Sequence, residues 1–263
     1  MNPSAATHPA NKFAWPPAEG IPHRAIFLPL LPLLLPLLLL MAACSNARPA
    51  PPAAEPPTHS FPLPDRPVAS IVSSSWSDEA SRDDAREAET VFRLLQIRPG
   101  MAIADIGAGS GYYVPRLAQA VGPTGKVFAQ DIIPDYLASL QRRIVREKLT
   151  NAKAILGTPG NAMLPRASTD LALMVHMYHE IEKPYELLWH LHESLKPGAT
   201  LAIIDTVRET QDHGTPPALL ECELKAAGYR QTARHTLPDQ SYLATFTPTK
   251  RPAPGEIKPC RLK

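Results

Sequence analysis

The stretch Ala102-Ile-Ala-Asp-Ile-Gly-Ala-Gly-Ser-Gly-Tyr112 decides the fold. A short apolar run rich in β-formers ends at Asp105, and glycines follow at alternate positions, Gly107, Gly109 and Gly111. Tyr112 to Val121 then reads as a helix. A buried strand feeding a Gly-rich turn and a helix is how an open α/β sheet makes a nucleotide site. Glycine permits positive φ and close backbone approach, and the helix N-terminus offers unpaired N–H groups to an anion. A dinucleotide fingerprint would read G-x-G-x-x-G, whereas this stretch reads D-x-G-x-G-x-G with its acid ahead of the glycines.

A second acid supports a nucleoside site. Gly125-Lys-Val-Phe-Ala-Gln-Asp131 reads as a second strand closed by Asp131, twenty positions after Gly111. That is about the separation at which an acid takes ribose hydroxyls in doubly wound folds, and a carboxylate can accept from two adjacent hydroxyls. Together these features resemble motif I of the class I S-adenosylmethionine-dependent methyltransferases. The resemblance implies that Asp105, Gly107, Ala108, Gly109 and Gly111 surround the methionine end of that cofactor, with Asp131 on its ribose. A nicotinamide dehydrogenase is disfavoured by the glycine spacing.

Further along, strand-like and helix-like segments alternate. Asp78 to Leu95 is predicted as a helix with an acidic first turn. Pro134 to Leu149 is another, with Tyr136, Leu137, Leu140, Ile144 and Val145 on its apolar side. Ala152 to Leu156 and Asp170 to Val175 read as strands three and four. A helix starting at Pro184, where the missing N–H does no harm, stops at Lys196-Pro-Gly198, and Leu201 to Asp205 is strand five. After the helix Pro217 to Ala227, Tyr229 to Leu237 and Ser241 to Thr247 look like a hairpin. The predicted fold is α/β: a doubly wound, mostly parallel, seven-stranded sheet with a terminal antiparallel hairpin. The resemblance covers roughly residues 76 to 247.

The ends read differently. Of 263 residues, 31 are proline, clustered toward the termini, and the formal net charge of +2 offers no reason to expect a nucleic-acid partner. His23-Arg24 precede a Leu-rich stretch that ends Met41-Ala-Ala-Cys44, which reads as a secretory signal over residues 1–43. It resembles a bacterial lipoprotein lipobox, which implies lipidation of Cys44 and a membrane-anchored domain on the periplasmic side of the envelope. A start site further in would leave the protein cytoplasmic, and a transmembrane anchor is the other reading of the apolar stretch. Residues 44–67 read as a Pro-rich tether, 68–247 as the folded domain and 248–263 as a loose tail. With Cys44 lipidated, Cys222 and Cys260 remain; in an oxidising compartment they could pair, but two free thiols are the expectation.

Three regions offer chemistry beyond the glycine loop. Gly157-Thr-Pro-Gly-Asn-Ala-Met-Leu-Pro165 resembles the family's G-D-A-x-x-L-P segment, which implies that Asn161 and Ala162 border the adenine. His176-Met-Tyr-His-Glu180 follows strand four, at the sheet end where ligands lie. His176 is expected beside the cofactor, with Tyr178, His179 and Glu180 facing the acceptor and His179 as general base. No metal site is read, since H-x-x-H-E at a strand end is not H-E-x-x-H on a helix. His213-Gly214 would form a rim over the acceptor site, Trp76 and Arg82-Asp83 a lid, and His190 and His192 lie on a helix surface. The chain is thus expected to be an S-adenosylmethionine-dependent methyltransferase acting on a small-molecule acceptor, of open oligomeric state. The alternative is an exported non-catalytic module of the same fold that binds a nucleoside or a partner.

Overall fold

Every residue of β1 (Ala102–Ile106) is buried, as befits a strand at the middle of a sheet covered on both faces. The computed structural model describes residues 60–71 and 79–261. Cys44, the signal segment, most of the Pro-rich tether and Trp76 lie outside these residues. No helix among the described residues is long and apolar enough to cross a membrane.

Around β1 the sheet adds β2 (Lys126–Asp131), β3 (Ala152–Leu156), β4 (Thr169–Val175), β5 (Leu195–Asp205), β6 (Tyr229–Thr236) and β7 (Tyr242–Pro248). Their order is β3-β2-β1-β4-β5-β7-β6. The first five are parallel, and β7 runs antiparallel to both β5 and β6. The predicted fold, hairpin included, is the observed one. Since β2 and β4 flank β1, the crossovers leave it in opposite directions, and a crevice opens where they part.

The helices are α1 (Glu79–Asp84), α2 (Glu87–Leu94), α3 (Tyr113–Val121), α4 (Pro134–Arg146), α5 (Pro184–Ser194) and α6 (Pro217–Ala226). The single helix expected over residues 78–95 is two, broken where Arg86 takes φ 51°. α1 buries no residue. It is held by charge instead: Glu79 accepts from Arg143, and Asp83 from Arg116 and the Tyr112 hydroxyl. On α4, Leu140 and Ile144 are buried but Val145 is 68% exposed, because it falls one position off the stripe that those two define. Lys196-Pro-Gly198 is a bulge inside β5 rather than a break before it, and regular pairing with β4 resumes at Thr200.

Both ends of the domain depart from expectation. Within the presumed tether, Phe61 packs edge-on against Trp189, and Arg66 forms an ion pair with Glu223 at 3.1 Å. The presumed loose tail is docked: Ile257 and Cys260 are buried, and the Arg251 guanidinium lies 3.8 Å from the Trp189 ring centre. Cys222 and Cys260 form a disulfide, not two free thiols. Their separation of 38 residues hid the contact, because only the return of the tail across α5 and α6 brings them together.

Candidate active site

The crevice beside β1 is a cavity of about 320 Å³, within the range of small-molecule sites. One wall is the loop after β1. Gly107, Gly109 and Gly111 all take positive φ, at 69°, 52° and 84°. A Cβ on Gly111 would stand 2.5 Å from Leu140 Cδ1, so this glycine serves the packing of α4 as well as the turn. Gly107, Ala108 and Gly109 line the cavity; Gly111 lies behind it.

Asp131 lines the cavity at the end of β2 and is 5% exposed. Its oxygens accept hydrogen bonds from the Gly109 N–H at 2.8 Å and the Ile133 N–H at 2.9 Å. Each oxygen keeps a lone pair for a ligand hydroxyl, so the carboxylate is oriented but not used up. Asp105 is fully buried beneath the loop. Burial pushes its carboxyl up to about 7, the Arg82 guanidinium works against that rise, and the nearby Asp131 adds to it. A buried carboxyl of this kind gains from a cationic ligand.

Arg82 also lines the cavity, its guanidinium 3.8 Å from the Tyr112 ring centre while it donates to Glu87. Burial alone would raise the Glu87 carboxyl; hydrogen bonds from His176 and Arg82 outweigh it and hold the group down to about 2. His176, in the left-handed region at φ 51°, lines the cavity.

The residues that follow are a correction. Tyr178–Glu180 form one 3₁₀ turn, and three residues per turn send successive side chains in three directions. Tyr178 is fully buried and donates its hydroxyl to Glu223 at 2.9 Å. His179 is 1% exposed, with Nδ1 at 3.0 and 3.1 Å from the Asp205 oxygens and its ring 5.4 Å from that of His213. Neither lines the cavity, so neither faces an acceptor there. Only Glu180 of the three does.

Asn161 and Ala162 are also misplaced. The Asn161 side-chain oxygen accepts from the Met163 N–H at 2.8 Å, closing its own turn, and Ala162 belongs to the core. Thr158 and Pro159 line the cavity in their stead. Sequence reasoning also missed Gln130, Ile133, Tyr136 and Met177 as lining residues. The apolar Ile132-Ile133 directly after Asp131 was the available signal, since a loop without a ligand has little use for it.

A family model described as a methyltransferase domain matches residues 103–198, from β1 to the start of β5. A protein-L-isoaspartate O-methyltransferase of Methanothrix thermoacetophila is 30% identical over 110 residues, 42% of this chain and 50% of that protein. A demethylmenaquinone methyltransferase of a Geobacillus species is 23% identical over 122 residues, 46% of this chain and 52% of its own length. The chain therefore spans about half the length of these curated relatives. Among solved structures, a SAM-dependent methyltransferase from Aquifex aeolicus superposes with a TM-score of 0.63 at 24% identity, covering 67% of this chain and 98% of that one. Strand order, glycine loop and family match together give the domain the class I methyltransferase fold, and they indicate S-adenosylmethionine as the cofactor.

Proposed function

We infer that the domain is an S-adenosylmethionine-dependent methyltransferase with a small-molecule acceptor. The observation that carries this reading is the meeting of the positive-φ glycine loop with Asp131 across one cavity. Asp131 would accept from the ribose hydroxyls, with Ile133 and the Thr158-Pro159 pair flanking the base. Asp105 would sit under the cationic methionyl end and ionise fully once that charge arrives. The sulfonium is already activated, so the chain's task is alignment. S-adenosylmethionine, when bound, would supply the methyl group to the acceptor's lone pair, its sulfur keeping the carbon–sulfur electron pair. Relatives are named for acceptors as different as protein isoaspartate and demethylmenaquinone, so the acceptor is set by this chain's own cavity, whose size supports a small molecule.

Calorimetric titration with S-adenosylmethionine, S-adenosylhomocysteine and NAD tests the reading. Binding of the first two but not NAD is expected, and Asp131→Ala should weaken it by about 1–3 kcal/mol through loss of charge-assisted hydrogen bonds. NAD binding, or unchanged affinity in a folded Asp131→Ala variant, would overturn it.

The same proposal includes export and anchoring through Cys44. The Cys222–Cys260 disulfide supports an oxidising compartment. Cys44→Ala should release the protein from membranes, whereas an unmodified N-terminus upstream of Cys44 in the native protein would contradict the anchor.

A further inference from the structure

The geometry points to a divalent metal site formed by His179, His213 and Glu180 at the edge of the methyltransferase cavity. One ligand atom from each of the three lies within 4.8 Å of those of the other two. Each histidine also holds a nitrogen that no other group among the described residues uses. His179 Nδ1 faces Asp205, so its free nitrogen is Nε2, and that atom is buried without a hydrogen-bond partner among the described residues. His213 Nδ1 is buried and unpartnered in the same way. Orphaned nitrogens on two imidazoles whose ring centres lie 5.4 Å apart are costly, since each has lost water and gained nothing. A cation would satisfy both at once.

The surroundings suit a metal further. Asp205 is fully buried, and it fixes His179 in the tautomer that turns the Nε2 lone pair outward. A carboxylate behind a histidine ligand is the usual outer support of a metal centre. Asp205 is itself held, accepting from the Thr206 N–H at 2.8 Å and the Thr215 hydroxyl at 2.6 Å. His213 takes a left-handed φ of 55°, and its Nδ1 is buried. Two imidazoles and a carboxylate form the donor set of zinc-class divalent ions, with ligand distances of about 2.0–2.2 Å and a fourth position left open. The other group of this kind among the described residues, Glu87, His176 and Asp239, holds no buried nitrogen without a hydrogen-bond partner.

Glu180 also lines the cavity, so the open position would take water or an oxygen of a ligand held there. The metal site itself does not depend on the methyltransferase reading; only an acceptor oxygen as its fourth ligand does.

The test uses the full chain with its disulfide intact, stripped by chelator and titrated with Zn²⁺ against a chromophoric competitor. One equivalent is expected to bind and to raise Tm. His213→Ala and Glu180→Gln should each weaken that binding at least about 10-fold, whereas His190→Ala should leave it unchanged. Absence of a Zn²⁺ equivalent, or its survival in both folded variants, would overturn the site. S-adenosylmethionine titration of the stripped protein runs in parallel. Its failure would count against the cofactor reading, and loss of Zn²⁺ binding alone would count only against the metal.

Discussion

The loops after β1 and β4 stand on either side of the same crevice and are built from different material. The β1 loop acts through its backbone: three glycines at positive φ, with the Gly109 N–H pinned to Asp131. The β4 loop acts through side chains that leave in three directions, to Glu223, to Asp205 and into the cavity. The first loop's shape depends on which residues lack a Cβ. The second depends on what α6, β5 and the N-terminal segment offer it. A loop of the first kind can be disabled locally, and one of the second kind is disabled from a distance.

The largest effect should therefore come from a residue far from the β4 loop in sequence. Glu223 is fully buried, accepts from Tyr178 and Arg66, and Arg66 in turn donates to the Tyr178 and His179 carbonyls. Glu223→Ala leaves a 3%-exposed guanidinium without its counter-charge and should cost about 3–5 kcal/mol of stability. Denaturant unfolding checks this, and a loss under about 1 kcal/mol would show that the loop keeps its shape without α6.

Cys222 is the neighbour of Glu223 on α6, and its disulfide ties that helix to the docked tail. Cys222→Ser should cost about 2–4 kcal/mol in thermal or chemical unfolding. Equal stability of the two proteins under oxidising conditions would show that the disulfide adds nothing to the hold of α6 on the β4 loop.

On the other side of the crevice, Gly109→Val puts a branched side chain at φ 52°. Strain of about 1–3 kcal/mol should appear chiefly as lost S-adenosylmethionine affinity, because the variant spoils a loop rather than the core. Normal binding would remove the backbone account of this wall.

The smallest effect concerns Asp105. Its carboxyl, raised to about 7 by burial, adds stability to the empty protein below the ordinary carboxylate range near pH 4. That contribution is lost as pH rises through about 7. A cationic ligand favours the ionised form, so S-adenosylmethionine affinity should rise about 10-fold from pH 6 to pH 8 and then level. Asp105→Asn should flatten this profile. A wild-type profile that is already flat would mean Asp105 does not sense the ligand's charge.

What the sequence determined by itself was whatever local chemistry enforces. Glycine at 107, 109 and 111 admits backbone angles other residues resist, and apolar runs bounded by turns became the buried strands of a parallel sheet. The helix started by Pro184 and the hairpin after Gly228 followed from the same short-range rules. Asp131 was legible because it ends a strand at a set distance from the glycine loop. Tertiary structure alone decided where the side chains of the 3₁₀ turn go. Their spacing says nothing of Glu223, 45 residues on, or of Asp205 at the end of β5 and His213 beyond it. It also decided that the proline-rich ends dock, since Trp189, Arg66 and the Cys222–Cys260 bond act between segments that are distant in sequence. Periodicity reports what a residue does to its own backbone, whereas a partner across the fold is chosen only once the sheet has closed.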